Sequence, residues 1–433
     1  MRYQQALVLP LLLAAILGAC KKERGNAKPQ VAIISPPENA SVSIPDTLLV
    51  KIEASDDRGL QQVAVTLVDQ DNVPVLAGVS ATAHGTSATM TLELPIIDEQ
   101  LASGAYKLYA TASDGELIGK DWRNLHVSAA PLRLRAVFTV TEPAPGNVAL
   151  YRTDSTGQTT LARTWPIDLA GAGISAAAQR LFIAGGVSGD LQALEPDGLG
   201  TVWSRPNLSS TGIPWFTSMD VCADGRVYVG QADGTIQGFL AGNGTGGAGG
   251  TLPEMFRALQ AVTMGDLLLA TERHFVTGEH RLGIYYPQSG TMASTQVLDV
   301  DPVALFPRDA GHALIFGNRS GQGRVLDRTL SGGGTWEAYS WPSPITAVVR
   351  LSELTWLVAL ANGDLERFTY NTIGSIHIGN SPVLGTMALD PVNGRVYGGT
   401  DGQVLLIDPM NGTTAPGWPV DGQVRKVLPL TNR

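Results

Sequence analysis

Short runs of alternating apolar and polar residues predict half-buried β-strands in the early part of the chain. This period is present in residues 48–54, 63–67 and 106–112. Clusters of turn-forming residues, such as 36–39 and 56–59, separate the runs. About seven short strands within ~100 residues predict a β-sandwich over residues 30–130.

The stretch from Ala54 to Leu60, which leads into Val63, resembles the same region of bacterial Ig-like and cadherin-like domains. The resemblance implies an Ig-like sandwich without the disulfide of antibody domains. Carboxylates in the end loops of cadherin-like modules bind calcium, and the aspartates of the predicted loops raise that hypothesis. Aspartate also caps turns, and the spacing of these residues favours that interpretation. The residues concerned are Asp56, Asp57, Asp69, Asp71 and Asp114.

From residue 132 onward the sequence repeats with a period of about 40 residues. A second strand recurs at residues 180–183, 226–229 and 395–398, and a glycine turn then precedes a third strand. Short strands, 50 glycines and 26 prolines indicate an all-β chain, and the period predicts a β-propeller over residues 132–433. The predicted openings of successive repeats are Ile174, Ser218, Leu259, Pro302, Ile345, Leu384 and Val424.

Four tryptophans mark the fourth strand of the repeat, each with a proline close behind. They are Trp165, Trp203, Trp341 and Trp418. Because these residues recur with the structural period, we expect their rings to pack between neighbouring blades rather than to bind a ligand.

The two ends of the repeat region complete one another. Residues 133–165 supply three strands, at 134–141, 147–152 and 159–165, and residues 423–430 supply one strand without a partner. Joined, they form one four-stranded blade, which predicts a ring closed by the C-terminal strand and seven blades in total. The repeats are irregular around residues 272–280 and 317–334, so six or eight blades remain open.

Residues 224–230 and 393–399 (DGRVYVG and NGRVYGG) resemble repeats of the pyrroloquinoline-quinone-like propeller superfamily. That superfamily includes quinone-dependent dehydrogenases and non-enzymatic lipoproteins that act in outer-membrane assembly. The resemblance therefore implies a fold rather than an activity. Its dehydrogenases usually place adjacent cysteines against the cofactor, whereas Cys222 stands alone. We expect no quinone and no other cofactor.

The N-terminus resembles the signal of a bacterial lipoprotein. Arg2 precedes an apolar run over residues 6–17, which is too short to span a bilayer, and residues 17–20 (LGAC) have the form of a lipobox. The resemblance implies a removable signal peptide at residues 1–19, acylation of Cys20 and a polar tether at residues 20–29. A secretory signal with a chance cysteine is the alternative. The lysine after Cys20 favours the outer membrane.

Little in the sequence indicates chemistry. The net charge of −9 argues against a nucleic-acid partner, which needs a basic face. His274 and His280 flank Glu279, but this pattern is more typical of a solvated hairpin than of a metal site. The glycines of residues 242–250 lack the Lys-Ser/Thr of a phosphate loop and predict a connecting loop. We predict no catalytic, cofactor-binding or metal-binding residue.

These observations favour a non-catalytic envelope lipoprotein. The lipid on Cys20 would attach the protein to the membrane, and the sandwich would act as a spacer. The propeller would present its loops to an envelope or secreted protein. A surface module that binds glycans or small ligands is the alternative, and exposed aromatics at Trp215–Phe216 or Tyr285–Tyr286 would support it, although core packing is favoured for them. A quinone-linked or hydrolytic enzyme is the third class.

Overall fold

The computed structural model describes residues 25–210, 212–331 and 334–433, which are almost entirely β-structure. A 3-10 turn at Tyr370–Thr372 is the helical element of these residues, and they contain no helix long and apolar enough to cross a membrane. The chain divides into two compact units at Pro131 and Leu132. The predicted signal peptide and Cys20 lie outside the described residues.

The first unit is a sandwich of two sheets, with orders β1-β3-β6 and β2-β8-β7-β4-β5. Its alternating runs are strands, as predicted, and their apolar positions, such as Val50, Ile52 and Leu108, form the core between the sheets. The strands are β1 (Gln30–Ser35), β2 (Ala40–Ser43), β3 (Asp46–Ser55), β4 (Gln62–Val68), β5 (Val79–Thr82), β6 (Ser87–Ile96), β7 (Gly104–Ser113) and β8 (Ile118–Ser128).

The second unit begins at Leu132 and consists of short antiparallel strands joined by tight turns. They are β9 (Leu134–Ala144), β10 (Asn147–Asp154), β11 (Thr159–Trp165), β12 (Leu169–Ser175), β13 (Arg180–Gly185), β14 (Leu191–Leu194), β15 (Thr201–Arg205), β16 (Phe216–Val221), β17 (Arg226–Gln231), β18 (Thr235–Leu240), β19 (Gly246–Thr251), β20 (Phe256–Met264), β21 (Leu267–His274), β22 (His280–Tyr286), β23 (Thr291–Leu298), β24 (Asp301–Asp309), β25 (His312–Arg319), β26 (Gln322–Thr329), β27 (Thr335–Trp341), β28 (Ile345–Ser352), β29 (Thr355–Leu360), β30 (Asp364–Thr369), β31 (Gly374–Asn380), β32 (Thr386–Asp390), β33 (Arg395–Gly399), β34 (Asp401–Ile407) and β35 (Thr414–Thr431).

These strands form a propeller. In the described part of the unit, β12 to β31 make five consecutive four-stranded sheets, and the other strands make one sheet of order β11-β10-β9-β35-β34-β33-β32. The innermost strands contact one another in a closed cycle: β12, β16, β20, β24, β28, β32, β35 and again β12. The two repeats whose sequences are irregular, around residues 272–280 and 317–334, also form four-stranded sheets, β20–β23 and β24–β27.

The C-terminal strand closes the ring, as predicted. The first part of β35 pairs with β34, and its residues from Gln423 to Thr431 pair with β9. β35 therefore joins the strands β32–β34 to the strands β9–β11, and the sheet is continuous across the point of ring closure. A blade count depends on dividing that sheet near Gln423, and the number seven stays a prediction.

The periodic tryptophans pack between sheets. The Trp203 ring centroid lies 5.8 Å from that of Phe182 in its own sheet and 6.1 Å from that of Phe239 in the next sheet. Its indole N–H donates to the carbonyl of Ala241, also in the next sheet, at 3.1 Å. Trp341 is buried in the same manner against Phe368 of the following sheet, 5.9 Å away. These rings join successive sheets, which confirms the packing interpretation.

Candidate functional site

One edge of the propeller carries a pocket of about 470 Å³. At this edge the innermost strands begin and the second strands end, because successive strands are antiparallel. The walls of the pocket come from the starts of β12, β16 and β20 and from the end of β21. We call it the mouth pocket and define it by Asp168, Phe216, Arg257, Arg273 and Phe275.

Two arginines face each other across the strands of the mouth pocket. Arg257 on β20 is the register partner of Arg273 on β21. Like charges at directly opposite positions destabilise a sheet, so the pair is not explained by strand stability. The Arg257 guanidinium also lies over the Phe275 ring, 4.9 Å from its centroid. The pocket therefore combines two positive charges with an aromatic wall.

The carboxylate of the mouth pocket is already occupied. Asp168 accepts hydrogen bonds from the Val187 amide at 2.7 Å, the Ser188 amide at 2.8 Å and the Ser188 hydroxyl at 3.1 Å. Burial alone would raise the pKa of Asp168, but these donors outweigh it and hold the pKa below its usual range. Asp168 is thus an ionised carboxylate that orders a loop.

A second basic group lies at the same edge. Arg425 and Lys426 line a hollow of about 280 Å³ that shares Leu169 with the mouth pocket. The Arg425 Nε lies 3.6 Å from a Glu142 carboxylate oxygen. Lys426 acts on Asp220, whose pKa is raised by burial although the Lys426 charge opposes that shift. Basic side chains thus gather at this edge of an otherwise acidic chain.

Among the described residues, one group of three side chains could hold a metal ion. It consists of Asp364, Glu366 and His377, whose possible ligand atoms lie within 4.8 Å of one another. His377 is the register partner of Glu366, and its Nδ1 lies 3.4 Å from Glu366 Oε1 and 4.0 Å from Asp364 Oδ1. Contacts of this length between an imidazole and carboxylates also occur without a metal ion. The prediction of no metal site stays a prediction.

Three of the five candidate aspartates of the Ig-like unit, Asp56, Asp69 and Asp114, cap turns. Oδ2 of Asp56 accepts the amides of Arg58 and Gly59, each at 2.8 Å. Asp69 does the same for the amides of residues 71 and 73, and Asp114 for those of residues 116 and 117. This geometry supports the turn interpretation over the calcium interpretation.

The histidines of the fourth repeat are not brought together into a site. Nδ1 of His274 accepts the backbone amide of Thr277 at 3.0 Å, whereas Nε2 of His280 lies 2.9 Å from Asp301. The intervening Glu279 pairs with Arg281 at 2.6 Å. Each of the three residues therefore has a separate partner, and that of His280 lies on β24 in the next sheet.

Cys222, the free thiol after β16, is half-buried. Burial raises its pKa, and the nearby carboxylates of Asp220 and Asp224 raise it further. A thiol that stays protonated is a weak nucleophile, so Cys222 does not provide a reactive centre.

The aromatic candidates from the sequence are mostly core residues. Phe216 and Tyr285 are fully buried, Trp215 is half-buried, and Tyr286 is exposed. Trp122, which the sequence alone did not single out, is 59% exposed and lies opposite Tyr109 in the β7–β8 register. The sequence could have shown it, because Trp122 occupies one of the alternating positions of β8 whose other side chains are mostly polar.

A family model described as bacterial Ig domain matches residues 29–110. The first unit is an Ig-like domain. No curated protein matches the chain.

Three solved structures illustrate what the chain is similar to. The WD40 β-propeller domain of Doa1 has a TM-score of 0.47 at 15% identity, covering 61% of this chain and 85% of that one. Hydrazine synthase of Kuenenia stuttgartiensis has a TM-score of 0.47 at 8% identity, covering 65% and 96%. A quinoprotein alcohol dehydrogenase-like protein of Bacteroides thetaiotaomicron has a TM-score of 0.43 at 10% identity, covering 93% and 97%.

Proposed function

We propose that this protein is a non-catalytic lipoprotein of the bacterial envelope, anchored through Cys20, whose propeller holds a protein partner at the edge with the mouth pocket. The lipobox and the polar residues that follow it support the anchor. The bacterial Ig domain fits a protein that works outside the cytoplasm.

The observation that carries the proposal is the exposed turn between β21 and β22. Phe275 and Val276 lie in this turn and are 50% and 69% exposed, and Phe275 lines the mouth pocket together with Arg257 and Arg273. Aromatic and arginine side chains are the residue types that dominate binding energy at protein interfaces. An apolar turn beside two arginines is therefore suited to the centre of an interface.

The chemistry of the mouth pocket suits binding rather than turnover. Its charged groups are two guanidiniums, which offer only N–H donors, and Asp168, whose oxygens already accept hydrogen bonds from backbone and hydroxyl donors. General base catalysis needs a group that can accept a proton from the substrate. None of these three groups is free to do so.

Site-specific crosslinking tests the proposal. A photoreactive residue in place of Val276, in the full chain in envelopes of its own host, is expected to trap one discrete protein. Met410 is the matched control, because it is 70% exposed and follows the third strand β34, at the opposite end of the strands. Equal crosslinking from both positions, or none from position 276, would contradict a partner site at this edge.

Glycan binding is a second candidate, favoured by Trp122. This ring borders a hollow of about 600 Å³ with Lys107, Tyr109 and Lys120, and Lys120 Nζ lies 5.7 Å from the Tyr109 ring centroid. An exposed ring beside hydrogen-bond donors suits a sugar. We expect Trp122→Ala to abolish any signal on a glycan array, and Leu49→Ala, equally exposed on the other sheet, to preserve it. Signal that survives Trp122→Ala excludes this hollow.

A further inference from the structure

Arginines that stack on aromatic rings recur in this chain, and Arg257 differs from the others. The other stacked arginines also bind an acceptor: Arg163 the Leu199 carbonyl at 2.9 Å, Arg205 the Gly244 carbonyl, Arg281 the Glu279 carboxylate at 2.6 Å, Arg308 the Asp309 carboxylate at 3.1 Å, and Arg350 the Pro307 carbonyl at 3.1 Å. Within the described residues Arg257 has no such acceptor, although its Nε is buried. Of the stacked arginines named here, Arg257 is therefore the one whose guanidinium has no hydrogen-bond acceptor.

The neighbouring arginine lacks a partner as well. Across the described residues Arg273 makes neither a hydrogen bond nor an ion pair, and its register partner is Arg257. Asp168, the carboxylate of the same pocket, lies within ion-pair distance of neither, because its oxygens hold the loop at Val187 and Ser188. A buried N–H donor without an acceptor is destabilising, and more so when it carries a charge. Arg257, whose Nε is buried, and the adjacent, exposed Arg273 are therefore both free to bind an anion from outside the chain.

We propose that the mouth pocket binds a carboxylate of the partner, carried next to an aromatic or aliphatic side chain. Guanidiniums bind carboxylates through paired N–H donors, and two arginines at directly opposite positions can share one such group. Phe275 and the buried Phe216 supply the apolar wall for the neighbouring side chain. This inference rests on the proposed function, since it names what the partner must present.

The charge of the pocket favours a carboxylate over a phosphate. Arg257 and Arg273 contribute two positive charges, and the ionised Asp168 contributes one negative charge. The balance of one positive charge matches a monoanion. A phosphate monoester carries close to two negative charges at neutral pH and would bring excess charge beside Asp168.

Calorimetry with a small probe tests the inference. N-acetylphenylalanine, which joins a carboxylate to an aromatic ring, is expected to bind the full chain at least about tenfold more tightly than its neutral amide. Equal binding of the acid and the amide would overturn the proposal. Tighter binding of phenyl phosphate than of the acid would overturn the choice of carboxylate.

Three variants locate the binding. Arg273→Gln changes an exposed side chain, so folding is expected to be unaffected, and the affinity for the acid should fall about tenfold. Arg257→Gln should have a similar effect. Arg205→Gln is the matched control, because Arg205 stacks on Phe239 but already donates to the Gly244 carbonyl. An equal loss in the control, or no loss in either other variant, would overturn the assignment.

A third probe distinguishes a side-chain carboxylate from the carboxylate of a chain terminus. The crosslinking experiment distinguishes a failure of this inference from a failure of the proposed function. N-acetyl-glutamyl-phenylalaninamide carries only a side-chain carboxylate, so its binding indicates an acidic side chain, whereas binding of N-acetylphenylalanine alone indicates a chain terminus. Crosslinking at position 276 that persists in Arg273→Gln would overturn the carboxylate and keep the partner site. Probe binding without any crosslink would keep the anion site and overturn the protein partner.

Discussion

Removal of Gln423–Arg433 is expected to prevent the second unit from folding. Residues Gln423 to Thr431 of β35 pair with β9 and connect it to the rest of the sheet. Val424, Val427 and Leu430 of this segment are at most 3% exposed, and they enter the cores on both sides of the closure. Burial of three such side chains contributes on the order of 5–9 kcal/mol, comparable with the whole stability of a domain. The truncation would also leave two strand edges open.

Circular dichroism and thermal melting would measure this effect. The truncated chain should lose the propeller transition and keep that of the Ig-like unit. A synthetic peptide of residues 420–433 should restore the lost transition in trans, since it replaces the missing strand. Asp421→Ser is the control on the same strand, because Asp421 is exposed, and it should change stability by only about 0.5 kcal/mol. An unchanged propeller transition in the truncated chain would refute closure as a source of stability.

Strand positions and closure could be predicted because their signals are local. The predicted strands 134–141, 147–152 and 159–165 lie within β9, β10 and β11 and begin at the same residues. Alternation selects the buried face, and the turn residues between strands fix where each strand stops. The three strands of residues 133–165 lacked a fourth, and the C-terminal strand was the one strand without a partner, so the pairing of the two could be predicted.

The glycine-rich segment was predicted wrongly. Residues 242–250 were expected to form a loop, but Gly246–Thr251 is strand β19. Its glycines are required by neighbours distant in sequence: a Cβ at Gly250 would lie 2.9 Å from the Tyr285 ring, and one at Gly249 would lie 2.1 Å from the Ile236 carbonyl oxygen. Strand propensity disfavours glycine, and here the lack of space between chains overrides it.

The mouth pocket could not be found in the sequence. Arg257 and Arg273 become neighbours only through the β20–β21 register, and neither belongs to a motif. The absence of an acceptor for Arg257 depends on side-chain positions in other sheets. Periodicity predicts which face a residue takes, but it does not predict which groups remain without a partner.

The buried carboxyl group of Glu272 is expected to lower the stability of the second unit as pH rises from about 4.5 to about 7. Glu272 on β21 is fully buried and accepts a hydrogen bond from the Tyr285 hydroxyl, while its other oxygen has no partner. Burial raises the pKa of Glu272 from 4.5 to about 7, although the Tyr285 hydrogen bond and the Arg281 charge oppose the shift. Gly283 leaves room for this pair, since a Cβ there would lie 1.9 Å from the carboxylate.

The direction follows from proton binding. Between these two pH values the folded chain holds a proton on Glu272 that the unfolded chain has lost, so the unfolded state is favoured as protons are removed. A pKa difference of this size corresponds to about 3 kcal/mol. The stabilisation is therefore fully present below pH 4.5 and is lost as pH rises through about 7.

Two variants at this site should change the pH dependence in opposite directions. Glu272→Gln keeps the size of the side chain and its acceptor oxygen but cannot ionise, so unfolding in urea should show about 3 kcal/mol less pH dependence between pH 4.5 and pH 8. Tyr285→Phe removes the hydrogen bond that opposes the shift, so the loss of stability should extend to higher pH. Because Glu272→Gln keeps every other titrating group, its difference from the parent chain isolates Glu272. A parent and a Glu272→Gln profile that run parallel would show that Glu272 titrates alike in the folded and unfolded chain.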